Sequence, residues 1–140
     1  MALVAGLREN MMDHVFGGGD FSRPGTIYVG LSTTTPTDAG ANLTEPANGY
    51  GRVAVTNNAT NFPASSTADG DSSKTNGTVI QFPEATGSWG TPTHWFMSTA
   101  DSGGTILATG AITNAQPVAN LNTVRFPAET LVIKWREATT

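Results

Sequence analysis

Hydrophobic and polar residues recur with two different periods along this chain. From Leu3 to Val15 an apolar residue returns at every fourth position, which predicts an amphipathic helix over about residues 2–16. Residues 17–19 are all glycine, and glycine accepts the left-handed conformation that ends a helix. We expect the apolar stripe of this helix to pack on the domain's own sheet, with docking to a partner subunit as the alternative.

Beyond residue 25 the period changes to alternation, the pattern of a strand with one buried face. Ile27, Val29 and Leu31 alternate with other positions and predict a strand over residues 26–32. Further strands are predicted at residues 50–57, 78–82, 93–98, 105–112, 123–126 and 130–135. The expected core consists of the inward strand positions, which are Ile27, Val29, Leu31, Val53, Val55, Ile80, Phe82, Leu131 and Ile133.

The clearest unit lies between Trp89 and Ile112, where two apolar runs flank a turn-rich centre. This pattern is typical of a β-hairpin. Because turn residues and no second helical pattern separate the predicted strands, the sequence indicates a mainly β fold, an antiparallel β-sandwich or small barrel with one N-terminal α-helix. A length of 140 residues suits one domain. We therefore expect a single structural domain over residues 1–140, with its β part at about residues 26–136.

Two polar stretches, residues 33–49 and 58–76, are expected to be exposed loops. The second contains an acidic cluster that begins at Asp69. An EF-hand loop starting there would need a glutamate where the chain has Ile80, so we interpret the cluster as a solvated turn. Three Asn-x-Thr triplets are interpreted as incidental, because no secretory signal is expected; they begin at Asn42, Asn58 and Asn76.

Composition narrows the possible partners. Only 13% of residues are charged and the net charge is −4, so binding to nucleic acid or to a membrane surface is not expected. The chain has no cysteine, which excludes disulfides and thiolate metal sites formed by its own residues. We expect a soluble, non-secreted protein. Sparse charge also permits close packing against neighbours without large desolvation costs, as in an assembly subunit.

The sequence predicts no catalytic, cofactor-binding or metal-binding residues. We therefore expect the protein to have no enzymatic activity and to bind no cofactor. His14 lies beside Asp13, but adjacent helical residues do not face each other, and His94 lacks a recognisable partner. There is no Gly-x-Ser-x-Gly motif or P-loop. Glu84 and Glu129 are the one suggestive carboxylate pair for a glycan hydrolase, since they follow two similar Phe-Pro stretches.

The order of several sequence blocks resembles a family of small tailed-bacteriophage proteins labelled tail-fibre or minor virion proteins. The resemblance covers about residues 7–135, and Gly49-Tyr-Gly-Arg52 and Trp89-Gly-Thr-Pro-Thr-His94 are its most specific parts. The other blocks are Thr26 to Gly40, Ile80 to Ala85 and Phe126 to Leu131. The resemblance implies a structural protein located in the virion, and it implies no catalytic residues.

Two positions on a virion then compete. A receptor-binding fibre needs a shaft, and the sequence shows neither heptads nor repeats. We therefore favour a capsid decoration, or cement, subunit that contacts the major capsid protein and associates with copies of itself. The alternative is a compact tail, baseplate or tail-fibre subunit involved in host attachment, and a third possibility is a glycan-binding module. We expect the contacts to come from the helix at residues 2–16 or from the two polar loops.

Overall fold

The computed structural model describes residues 3–136. It confirms a mainly β protein with one N-terminal helix. The elements are α1 (Ala5–Val15), β1 (Thr26–Ser32), β2 (Val53–Thr56), β3 (Ser66–Ala68), β4 (Asp71–Thr75), β5 (Ile80–Gln81), β6 (His94–Ser98), β7 (Ile106–Ala111), β8 (Arg125–Phe126) and β9 (Val132–Arg136). In this described part of the chain, no helical segment has the length and hydrophobicity needed to cross a bilayer.

The strands form three antiparallel sheets, and none of them closes into a barrel. The largest sheet has the order β2-β1-β6-β7, the second has the order β3-β4-β9, and β5 pairs with β8. The predicted hairpin is confirmed as β6 and β7, in which His94 is opposite Ala111. Its strands end around a turn at residues 99–105, where Thr99 N–H donates to Thr105 O at 3.1 Å.

β1 occupies the centre of the largest sheet and shows where the predicted alternation is incomplete. Val29 and Leu31 are fully buried, as expected. Gly30 and Ser32 on the other face are buried too; Phe96 and Tyr50 cover Gly30, and the Ser32 hydroxyl donates to Thr34 O at 2.8 Å. This end of β1 therefore lies inside the protein on both faces, which the period-2 pattern alone does not indicate.

The helix is shorter and less buried than the sequence predicts. α1 begins at Ala5, and residue 2 of the predicted helix lies outside the described residues. The helix contains no fully buried side chain; Met12 is 56% exposed and Val15 is 65% exposed. The stripe therefore packs on the domain only through its first half. Gly17 and Gly18 adopt φ angles of 102° and 95°, which confirms the predicted helix end.

The segment before α1 joins the two larger sheets. Leu3 N–H donates to Lys134 O on β9 at 3.1 Å, and Val4 N–H donates to Leu107 O on β7 at 3.0 Å. Two residues thus satisfy backbone groups on neighbouring strand edges, which would otherwise be unpaired. Because β7 and β9 belong to different sheets, this short segment holds the sheets beside each other.

The prediction of an exposed loop over residues 58–76 is wrong in its second half. This part contains the hairpin β3–β4, and β4 also pairs with β9. Ala68 pairs with Asp71, so Asp69 and Gly70 form a two-residue turn with φ angles of 52° and 80°. Asp-Gly favours this turn because both residues tolerate positive φ. The acidic cluster is thus a tight hairpin turn.

The core agrees largely with the predicted set. Val53 and Ile133 are only half-buried against it, while the other seven expected residues are buried. Phe82 and Phe126 both point into this core, and their ring centroids lie 6.1 Å apart with the rings nearly perpendicular. The two Phe-Pro stretches are therefore neighbours across β5 and β8, where each supplies one ring to the same cluster.

Asn76 is one of four buried polar residues in the described part of the chain, with Ser32, Ser98 and Thr109. Asn76 is 1% exposed, and its amide nitrogen donates to Thr78 O and Pro127 O, both at 2.9 Å. Its amide oxygen accepts from the backbone N–H groups of Thr130 at 3.1 Å and Leu131 at 2.9 Å. Asn76 thus fixes the turn that leads into β9.

Candidate functional site

The residues of the Gly49-Tyr-Gly-Arg52 block form a structural clamp on the surface of the four-stranded sheet. Arg52 binds the carboxylate of Glu45 through Nε at 2.9 Å and Nη2 at 3.0 Å. Its Nη1 donates to Ala100 O at 2.7 Å and Gly103 O at 2.9 Å. One side chain therefore joins the loop at residues 33–49 to the turn between β6 and β7.

Tyr50 completes this clamp. Its hydroxyl donates to Glu45 Oε1 at 2.7 Å and accepts from the backbone N–H of Leu31 at 3.0 Å. Burial raises the pKa of Tyr50, so the hydroxyl keeps its proton. Burial also acts to raise the pKa of Glu45, but hydrogen bonds from Arg52 and Tyr50 outweigh it, and the pKa is lowered. Glu45 is thus held as a carboxylate by its two partners.

A glycine in β1 makes room for the clamp. A Cβ at Gly30 would overlap the ring of Phe96 and would lie 2.7 Å from the Tyr50 hydroxyl. The Arg52 guanidinium carbon stands 4.9 Å from the centre of the same Phe96 ring, in a cation–π contact. The most specific block of the resemblance therefore has a packing role.

The Trp89-Gly-Thr-Pro-Thr-His94 block is also used for packing. Trp89 is 3% exposed, its indole Nε1 donates to Asn48 O at 2.9 Å, and its backbone N–H donates to Val118 O at 2.9 Å. His94 is half-buried, with Nδ1 2.9 Å from Thr93 Oγ1. Burial lowers the pKa of His94. The block fixes the entry into β6.

The candidate catalytic groups do not come together in the described part of the chain. His14 Nδ1 accepts the backbone N–H of Phe21 at 3.1 Å, and neither histidine forms an ion pair there. Residues 3–136 bring together no group of three or more acidic or histidine side chains suited to a metal ion. Ion pairs in this region join Arg8 with Asp38, Arg52 with Glu45, and Lys134 with Asp71.

Glu84 and Glu129 lie toward opposite ends of the β5–β8 pair. Ile80 is opposite Phe126 in an antiparallel register, so the chain beyond Ile80 runs alongside residues that precede Phe126. Glu129 follows Phe126 on the other side of this register. A glycoside hydrolase needs its two carboxylates roughly 5 to 10 Å apart across one site, whereas this register does not place Glu84 opposite Glu129.

An apolar cleft of about 680 Å³ opens on the surface. Its walls come from α1, from the four-stranded sheet and from the β3–β4–β9 sheet. Large apolar side chains dominate these walls, among them Leu7, Met11, Ile27, Met97, Leu107 and Trp135. Trp135 is 36% exposed at the cleft. Exposed apolar surface of this kind is a candidate interaction site.

The charged side chains that line the apolar cleft are cationic. They are Arg23 and Lys74, and no carboxylate among the described residues belongs to the lining. The Lys74 ammonium donates to Pro63 O at 2.6 Å and Phe62 O at 3.2 Å, and it forms no ion pair with the described carboxylates. In a chain of net charge −4, the cleft is thus a local region of positive charge.

A second depression, of about 500 Å³, follows the chain from Ile112 to Phe126. Amide side chains such as Asn114 and Gln116 line it together with Leu121, which is 68% exposed and has a φ angle of 70°. Its one aromatic residue, Phe126, is buried. The depression therefore lacks the open aromatic face that a stacked ligand would need.

The fold and the cleft define a small antiparallel β domain whose distinctive sequence blocks serve packing and whose apolar cleft is open. The chain belongs to the family described as Podophage GP4 fiber I protein gp80, whose family model matches residues 2–134. No match was found among curated proteins. Membership confirms the resemblance to tail-fibre and virion proteins of tailed bacteriophages, and the protein is a virion component.

Proposed function

We propose that the protein is a non-enzymatic structural subunit of the fibre apparatus of a tailed phage and that it serves host attachment. Family membership over residues 2–134 is the observation that carries this proposal, because the family description names a fibre protein. The proposal replaces capsid decoration as our first choice, which rested on the lack of heptads and repeats and on the expected compact β body.

The arrangement of side chains supports a structural role. The clamp around Arg52 and the hydrogen bond of the buried Trp89 stabilise the loops that they join. Such loops can contact neighbouring subunits and keep their conformation. The apolar cleft offers a surface for association. Such a domain can attach to a shaft supplied by another polypeptide, so the missing heptads in this sequence do not argue against a fibre.

Capsid decoration is the second candidate. The compact β body and its sparse charge suit a subunit that adds buried contact area to the major capsid protein. The two positions differ in what the virion loses when the subunit is removed. A fibre subunit affects adsorption, whereas a cement subunit affects the resistance of the filled head to heat.

Virions that lack this protein provide the test, with virions complemented by the wild-type chain as the matched control. We expect adsorption to host cells to fall strongly while DNA retention on heating stays at the control level. Particles that adsorb normally but release DNA at a lower temperature would instead identify a capsid decoration subunit. Antibody labelling of intact virions locates the protein on the tail or the head independently.

The non-enzymatic part needs its own assay. We expect purified protein to leave the polysaccharides of the host surface intact. Turnover that disappears in Glu84→Gln or Glu129→Gln would contradict this and would support the glycan hydrolase alternative. Binding of these polysaccharides without turnover would favour the glycan-binding alternative.

A further inference from the structure

The end of α1 exposes apolar side chains beside the apolar cleft. Phe16 is 72% exposed, Val15 is 65% exposed and Met12 is 56% exposed. Met12 precedes the other two by three and four residues, so the three side chains lie on one side of the helix end, and we call this exposed hydrophobic group the knob. In its own molecule this knob remains open to solvent, so it does not fill the cleft that the first half of the same helix lines.

Two carboxylates lie near the knob. Asp13 stands between Met12 and Val15 in the chain, and Asp20 follows the three glycines. Both residues are exposed, and neither forms an ion pair with the described residues. The helix end therefore combines large apolar side chains with negative charge, whereas the apolar cleft combines apolar walls with Arg23 and Lys74. The two surfaces are complementary in hydrophobicity and opposite in charge.

We propose that the α1 end of a second copy of this chain docks in the apolar cleft. Phe16 would bury its ring among the cleft residues, and Asp13 would approach the Lys74 ammonium, which has no carboxylate partner among the described residues. A buried aromatic anchor and a charge pair at its edge are typical of energetically important contacts. The knob and the cleft are neighbours on one molecule. In a symmetric dimer, each copy can therefore dock its helix end in the cleft of the other copy.

The protein carries a built-in reporter for this contact. Trp135 lines the cleft and is 36% exposed, while Trp89 and Trp95 are each 3% exposed. Covering the cleft removes water from Trp135 but leaves the other two indoles unchanged. We therefore expect the fluorescence emission to shift to shorter wavelength as protein concentration rises, over the same range in which the mass measured by light scattering doubles.

Two exposed substitutions test the contact, because neither removes a buried group. Phe16→Ser removes the aromatic anchor and should weaken association roughly tenfold or more. Asp13→Lys places a cation against the positive cleft and should also weaken association, most strongly at low salt. Leu121→Ser and Glu84→Lys are the matched controls, since both residues are exposed and lie outside the knob and the cleft. The controls should associate like the wild type.

The results that overturn the proposal are equally defined. A wild-type chain that stays monomeric up to about 1 mM lacks this contact, and the proposal is then wrong. A dimer whose tryptophan emission does not shift uses another surface, as does a dimer that Phe16→Ser leaves unchanged. These measurements use purified protein, so their failure would not affect the proposed place of the protein in the fibre.

Discussion

Replacing Asn76 by alanine tests whether one buried side chain holds the turn that leads into β9. The substitution removes four hydrogen bonds, two donated to backbone carbonyls and two accepted from backbone N–H groups. The Leu131 N–H is the most costly of these partners. Leu131 is 1% exposed, so water has little access to replace the lost acceptor.

The magnitude follows from the exposure of each partner. An unsatisfied buried group costs about 1 to 3 kcal/mol, and this range applies to the Leu131 N–H. The other partners belong to Thr78, Thr130 and Pro127; the last two are exposed and can bind water, so each lost bond costs about 0.5 to 1 kcal/mol. We expect a total loss of about 3 to 5 kcal/mol. For a domain of this size the melting temperature should fall by roughly 10 to 20 °C.

Urea unfolding followed by tryptophan fluorescence measures this loss, with Asn58→Ala as the control. Asn58 also begins an Asn-x-Thr triplet and accepts the backbone N–H groups of Thr60 and Asn61, but it is exposed. Its substitution should cost about 1 kcal/mol, as for an exposed capping residue. If the two variants lose the same free energy of unfolding, burial is not what makes Asn76 important and the reasoning is refuted.

Three further predictions concern the core and the clamp. Gly30→Ala should destabilise the protein by about 1 to 3 kcal/mol, because the added methyl overlaps Phe96, whereas Gly51→Ala, with open space around its Cβ, should change the melting temperature little. Folding lowers the pKa of Glu45, so its carboxylate stabilises the folded protein at neutral pH. This stabilisation is lost as the pH falls below 4.5, the ordinary pKa, and through the lower pKa of the folded state. Glu45→Gln should therefore be less stable than wild type at pH 7 and should lose less stability between pH 5 and pH 3, in thermal melts. Phe82→Ala should cost about 3 to 5 kcal/mol in urea unfolding, and a melting temperature within two degrees of wild type would show that the core register is wrong.

The strands were predictable where the sequence pattern of apolar residues matches the face that is buried in the structure. β1 has the predicted bounds because its alternating residues meet a buried face, and the hairpin of β6 and β7 was marked by two apolar runs around glycines. β5 and β8 contain only two paired residues each, although longer strands were predicted. Proline follows each Phe there and cannot donate to a ladder, which shortens the pairing.

Other features depend on contacts that sequence patterns do not contain. The hairpin of β3 and β4 has few apolar residues that could mark it in the sequence. It is stabilised instead by pairing with β9, about 60 residues further along the chain. Its Asp-Gly turn was the one local signal that could have revealed it. The clamp joins Arg52 to backbone carbonyls about 50 residues away. The apolar cleft is equally non-local, since its lining runs from Leu3 to Trp135.

The placement of Leu3 and Val4 between two sheets also has a consequence for biosynthesis. These residues are synthesised well before their backbone partners, which lie at residues 107 and 134. At usual elongation rates, on the order of 10 s separates the synthesis of the two halves of this contact. During that interval the strands that flank residues 3–4 are incomplete. The apolar residues that later line the cleft are then exposed to solvent. We therefore expect the contacts of residues 3–4 to form late, through slow pairing of distant segments, and newly made chains to need protection from aggregation until residues 132–136 have emerged.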